Sequence, residues 1–284
     1  MSIQYVETSR GTFATLARGD IGAPVALCLH GFPDIATTFT SMLDGLADAG
    51  FRAVAPWMRG YAPSVIAGPY DPDSIALDAI ALSESLSPSK PVAIIGHDWG
   101  AVATYGATSM RPERFTRAVT MAVPHPLAFV RNLPRAPAQL RRSWYMMAFQ
   151  LPLAPHLAMR NDGALIDRLW RDWSPGFTAP QDHLHDVKQS IATGMPGPFL
   201  YYRQAVRPLV PALRRIRRAG GQRVGVPTRF LIGDTDGCIG LEAGAGQRRY
   251  FEGEFDEHVV HGAGHFLHLE RPDEVLRLVV DWLR

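Results

Sequence analysis

The chain predicts an α/β fold, a mostly parallel sheet covered on both faces by helices and interrupted by a helical insertion. Three observations carry this reading. Short apolar runs alternate with amphipathic stretches of helical period, the pattern of strands buried by crossover helices. Between about 133 and 222 the strand signal vanishes while helical spacing persists in a segment rich in Trp, Met, Arg and Pro. A length of 284 residues with 46% hydrophobic content suffices for one large core with an insertion.

In order, the strands are expected at Val25 to Leu29, Arg52 to Ala55, Val92 to Ile95, Ala118 to Ala122, Thr228 to Ile232 and Glu257 to Val260. Helices are expected at Thr37 to Ala49, Asp73 to Leu86, Ala101 to Met110 and Pro272 to Arg284. In the second of these Leu77, Ile80 and Leu82 give the spacing, and Asp73 is the capping candidate. The domain expectation is a core formed by residues 1–132 and 223–284, with 133–222 as a cap. Such an insertion would hang over the carboxyl ends of the strands, where open α/β sheets bind ligands.

Bulk charge narrows the partners. Twenty-nine basic against 27 acidic residues leave a net charge of +2, too balanced for a chain defined by nucleic-acid binding. The run Arg214-Arg215-Ile216-Arg217-Arg218 reads as a solvated helix end, because it is short and no aromatics are interleaved. The start Met1-Ser2-Ile3-Gln4-Tyr5 lacks a basic stretch followed by an apolar one, and no apolar run approaches the ~18 residues of a bilayer span. Cys28 and Cys238 lie in apolar, strand-like surroundings and read as two buried thiols in a reducing compartment. The expectation is a cytoplasmic monomer or homodimer that meets neither membrane nor nucleic acid.

The chemistry begins at Gly96-His97-Asp98-Trp99-Gly100, directly after the run Val92-Ala93-Ile94-Ile95. This is the G-x-S-x-G nucleophile elbow with aspartate in place of serine. A serine needs a base to become nucleophilic, whereas a carboxylate of ordinary pKa near ~3.9 is already an anion at neutral pH. Asp98 could therefore attack carbon unaided and form an ester that an activated water then hydrolyses. Gly233-Asp234-Thr235-Asp236 places two carboxylates beyond one strand end, and His261-Gly262-Ala263-Gly264-His265 places a histidine beyond another. Nucleophile, acid and histidine follow in that order, so Asp98, Asp236 and His265 could converge, with the carboxylate orienting an imidazole that deprotonates water. After the first strong strand comes His30-Gly31-Phe32-Pro33. The amides of Phe32 and Trp99 are the candidate oxyanion hole.

With these motifs in view, the chain resembles the soluble epoxide hydrolases of the α/β-hydrolase fold, in the branch that includes haloalkane dehalogenases. The resemblance runs over essentially the full length. It rests on His30-Gly31-Phe32-Pro33, Arg59-Gly60-Tyr61, Gly96 to Ala101, Pro124-His125-Pro126 and Gly262-Ala263-Gly264-His265-Phe266. In that family two lid tyrosines hydrogen-bond the epoxide oxygen. The segment Ser143 to Pro152 resembles the first tyrosine motif and marks Tyr145; Gly197 to Arg203 resembles the second and marks Tyr202, with Tyr201 as its neighbouring alternative. The family's spacing also favours Asp236 over Asp234. Departures are the missing proline three residues after Asp236 and Met146 where glutamine is expected.

The resemblance implies conversion of an apolar epoxide and water to a vicinal diol, with no cofactor and no metal. Trp99, Trp144, Phe149 and Phe199 are the expected substrate-binding side chains, and Met147 adds to the apolar character of the lid. The rivals are a haloalkane dehalogenase using the same triad and a non-catalytic small-molecule-binding homologue. The histidines His258, His261, His265 and His268 cluster in sequence, but a strand followed by a loop scatters them and no H-E-x-x-H accompanies them. Gly244-Ala245-Gly246 lacks the third glycine of a phosphate loop.

Overall fold

The computed structural model describes residues 2–220 and 223–284, with the side chains of Arg217 and Ala219 also outside the description. Met1 and the expected end of the insertion at Gln222 thus lie outside the described residues. Eight strands form one sheet: β1 Gln4–Thr8, β2 Gly11–Arg18, β3 Val25–Leu29, β4 Arg52–Pro56, β5 Val92–His97, β6 Phe115–Met121, β7 Thr228–Gly233 and β8 Phe255–Val260. Their order is β1-β2-β4-β3-β5-β6-β7-β8. The first two pairings, β1 with β2 and β2 with β4, are antiparallel, and every other pairing is parallel. The strands β3 and β5 at its centre are buried on both faces, which is why they read as unbroken apolar runs.

Helices α1 Thr40–Asp48, α2 Pro72–Leu86 and α3 Trp99–Met110 belong to the crossovers before β6. Between β6 and β7 lie eight α-helices among the described residues: α4 Pro126–Asn132, α5 Pro137–Arg142, α6 Trp144–Ala148, α7 Ala154–Ala158, α8 Arg160–Trp173, α9 Gln181–Gly194, α10 Gly197–Val206 and α11 Leu209–Gly220. Two more, α12 Leu267–Glu270 and α13 Pro272–Leu283, follow β8.

Several local expectations shift. The antiparallel pair β1 and β2 is additional; β1 lies at the sheet edge, largely exposed, and carries no apolar run. The stretch from Thr37 divides into a tight 3-10 turn at Ala36–Phe39 and α1. The cap of α2 is Asp71, whose carboxylate accepts from the amides of Asp73 and Ser74, and Asp73 sits inside the first turn. Ala122, expected in a strand, leaves β6 with φ of 67°. The basic run is also not simply solvated: Arg215 reaches Asp71 at 3.6 Å and Arg218 pairs with Asp73 at 2.5 Å. Cys28 is buried in β3 as expected, whereas Cys238 is buried in the loop after β7. Among the described residues no helix is long and apolar enough to cross a membrane.

Candidate active site

Asp98 stands between β5 and α3 with φ 52° and ψ −116°, a conformation in which non-glycine residues are strained. The turn is sharp because Gly100 lets α3 press on β3: a Cβ there would lie 2.0 Å from the Leu29 carbonyl oxygen. The helix then holds the strained residue, since the amides of Ala101 and Val102 both donate to the Asp98 carbonyl. The carboxylate is thereby presented at the carboxyl end of the sheet, 4% exposed.

The loop after β3 meets it there. The Phe32 amide donates to Asp98 Oδ1 at 2.7 Å. This approach needs a bare backbone, because a Cβ on Gly31 would lie 2.3 Å from Asp98 Oδ1. His30 shapes the same loop: its Nδ1 donates to the Gly31 carbonyl and its Nε2 accepts from the Met58 amide, both at 2.9 Å. That pair of bonds requires the neutral ring, and burial lowers the His30 pKa to about 4. Trp99 opens α3, where helix amides lack intrahelical partners.

On the other side, His265 Nε2 stands 3.6 Å from Asp98 Oδ2, and His265 Nδ1 donates to Asp236 Oδ2 at 2.9 Å. Asp236 Oδ1 accepts from the amides of Cys238 and Ile239 at 2.7 and 2.8 Å. A proline at 239 would lack the second of these donors, so the departure from the family's spacing adds a hydrogen bond here. Asp234 is elsewhere: it accepts from exposed His261 and from the Gly262 amide. Burial alone would lower the His265 pKa, but the charge and hydrogen bond of Asp236 and the proximity of Asp98 outweigh it and raise the pKa to about 10.

Facing the carboxylate are aromatic side chains from the inserted helices. Tyr145 and Tyr202 meet edge to face, with ring centroids 5.5 Å apart. Tyr145 Oη lies 3.2 Å from Cys238 Sγ, while the buried Tyr202 hydroxyl has no hydrogen-bond partner. Burial pushes both phenols well above the usual tyrosine range, and the Asp98 charge raises both further. Tyr201 is occupied differently, donating to the Arg59 carbonyl at 2.6 Å. Phe149 and Phe199 pack on Phe32 at 5.5 and 5.3 Å, and Trp99 meets Tyr202 at 5.1 Å. The structure does not gather Trp144 into this group: its ring is 39% exposed, beneath the Arg168 guanidinium, and Met147 is exposed as well.

Two participants escaped the sequence reading. Trp173 stands edge to face with His265 at 4.9 Å, and its carbonyl accepts from the amides of both His265 and Gly237, tying the His265 loop to the Asp236 loop. Cys238 is the side chain that meets Tyr145. The signal for Cys238 was its place two residues after the acid; Trp173 had only its place in a Trp-rich stretch.

A profile of the alpha/beta hydrolase family matches residues 26–278, nearly the whole chain. The protein belongs to the alpha/beta hydrolase family. Among relatives, epoxide hydrolase A of Mycobacterium tuberculosis is 26% identical over 99% of this chain and 96% of its own length. Epoxide hydrolase 3 of Xenopus tropicalis is 29% identical over 96% of this chain and 74% of its own. The crystal structure of a Bacillus megaterium epoxide hydrolase in complex with an inhibitor superposes with a TM-score of 0.85 at 24% identity, covering 99% of both chains. That likeness establishes the α/β-hydrolase fold, including the helical segment between β6 and β7 of this hydrolase.

Proposed function

We propose that this alpha/beta hydrolase is an epoxide hydrolase working through an ester on Asp98. The observation that carries the reading is the carboxylate's setting. One oxygen is held by the Phe32 amide and the other faces His265, while two buried tyrosines pack opposite. The names of the relatives point the same way. Residues 133–222 act in this reading as the cap that carries the tyrosines.

In the first step Asp98 Oδ2 attacks one epoxide carbon and the carbon–oxygen bond of the ring breaks. The released alkoxide is stabilised and protonated by the hydroxyls of Tyr145 and Tyr202. In the second step His265, oriented by Asp236, takes a proton from water, and the hydroxide attacks the aspartyl carbonyl. The oxyanion is stabilised by the amides of Phe32 and Trp99; the ester bond breaks, the diol leaves with the ester oxygen protonated by the new carboxylic acid, and the proton held by His265 returns to the tyrosinate left by the first step.

One change of charge links the two steps. Asp98 raises the pKa of Tyr145, Tyr202 and His265 together. Esterification removes that anion. The phenols become stronger acids as the alkoxide appears, and the imidazole loses a partner that favoured its protonated form just before it must act as a base. A halide leaving group needs no proton, so the unpartnered Tyr202 hydroxyl favours an oxygen leaving group over a halogen.

The test is diol formation from styrene-oxide-like and aliphatic epoxides, with a chlorinated alkane as the counter-substrate. The parent should form diol and release no chloride. Asp98→Asn should lose turnover, and the double Tyr145→Phe, Tyr202→Phe variant should slow it by roughly 100- to 10,000-fold, the usual worth of a positioned proton donor. Chloride release that survives loss of both tyrosines would overturn the assignment.

A further inference from the structure

Behind the catalytic histidine lies a second buried cluster that the reaction does not use. Asp34, from the loop after β3, His97, the last residue of β5, and His268, in α12, come together under the carboxyl end of the sheet. All three are buried, and each offers a ligand atom within 4.8 Å of the other two.

The hydrogen bonding at this cluster is one-sided. Asp34 Oδ1 accepts from the Ile35 amide and lies 2.9 Å from His183 Nε2, yet Asp34 Oδ2 has no partner. His97 Nε2 donates to the His265 carbonyl at 2.9 Å, yet His97 Nδ1 has none. His268 Nε2 meets Thr38 Oγ1 at 2.7 Å, yet His268 Nδ1 has none. Three residues from three elements are thus each anchored by one atom and left with one free donor or acceptor. Buried polar atoms are rarely left unmatched, and three in one place call for a shared guest. Outer atoms fixed by protein with inner atoms free is how metal-ligating histidines are oriented.

We propose that Asp34, His97 and His268 form a binding site for a divalent transition-metal ion, with zinc as the best match. Two imidazole nitrogens and one carboxylate oxygen are a donor set that zinc accepts, at bond lengths of about 2.0–2.2 Å. The other three-residue grouping among the described residues, Asp236 with Cys238 and His265, offers no such site, because its carboxylate and imidazole are spent on each other. The His183 ring that holds Asp34 also contacts Thr37, which with Asp186 and Ser190 lines a surface cleft of about 390 Å³. The ion would sit one imidazole away from the backbone of His265.

The test is zinc uptake by the full-length protein after removal of metal with a chelator. One equivalent should bind, raise the melting temperature, and, when cobalt replaces zinc, give the visible absorption of a nitrogen- and oxygen-ligated ion. Asp34→Asn and His268→Gln should abolish the stoichiometric uptake and the melting shift. Thr38→Ala, which removes only the group orienting His268, should weaken binding by roughly 10- to 100-fold and so distinguishes ligation from general damage. The proposal is overturned by a parent protein that takes up no zinc, by variants that bind as well as the parent, or by a crystal soaked in zinc that shows an ordered water at the three free atoms.

Discussion

His265 concentrates the electrostatics of the site in one side chain. Its pKa is raised because two anions outweigh its burial, which favours the imidazolium form of the ring beside the unesterified Asp98. In the proposed mechanism His265 takes a proton from water and so has to shed that form, and loss of the Asp98 charge on esterification favours shedding it. The sign is testable without substrate. In chelator-treated protein, NMR should show His265 of Asp98→Asn titrating at lower pH than in the parent; an unchanged or higher value would contradict the coupling. At the same scale, Tyr201 and Tyr202 are adjacent and chemically identical, and no spacing rule separates them. Only the folded chain shows that one hydroxyl is consumed by the Arg59 carbonyl while the other is free.

The elements that position these side chains were legible in unequal measure. Buried parallel strands such as β3, β5 and β7 announce themselves as apolar runs, and the turns after them carry Asp98 and Asp236 at their tips. The edge strand β1 has no comparable run, because a sheet edge does not bury both faces, and β2, although buried from Phe13 to Leu16, interrupts its apolar residues with Thr12 and Thr15. The inserted helices were legible only as helices with aromatic residues, since which side chain faces inward depends on where each short helix docks. That docking has an identifiable clamp. Trp170 in α8 donates from Nε1 to the Pro33 carbonyl at 2.9 Å and stacks on Phe266 at 3.6 Å, joining the inserted helices to the loop after β3 and to the loop that carries His265 at once. Trp170→Phe keeps the stack and removes the hydrogen bond, which should cost about 1 kcal/mol in urea unfolding. Trp170→Ala should cost about 3–5 kcal/mol. Equal losses for the two would show that the stack contributes nothing.

Across the whole molecule, a second charge cluster lies away from the chemistry and holds two loops of the sheet to a crossover helix. Arg59 and Arg10 both pair with Asp78 of α2, at 2.6 and 2.5 Å, and the Arg59 and Asp78 side chains are only 4% and 7% exposed. Removing the shared carboxylate strands two cations, so Asp78→Ala should destabilise the protein by about 3–5 kcal/mol, read from urea unfolding. A loss below 1 kcal/mol would mean that water already screens the pair. Composition and spacing foretold a large α/β molecule with a helical insertion, but not this cluster, because Arg10 from the turn between β1 and β2 and Arg59 from the loop after β4 meet Asp78 of α2 only in the folded chain. What the fold as a whole achieves is to bring one carboxylate, one histidine and two phenols from four separate segments to a single point. The most direct test of what happens there is a single turnover in water enriched in heavy oxygen, followed by mass analysis of the diol and of the peptide carrying Asp98. The account predicts an unlabelled first diol and one heavy oxygen on Asp98; label in that diol with none on the aspartate would contradict it.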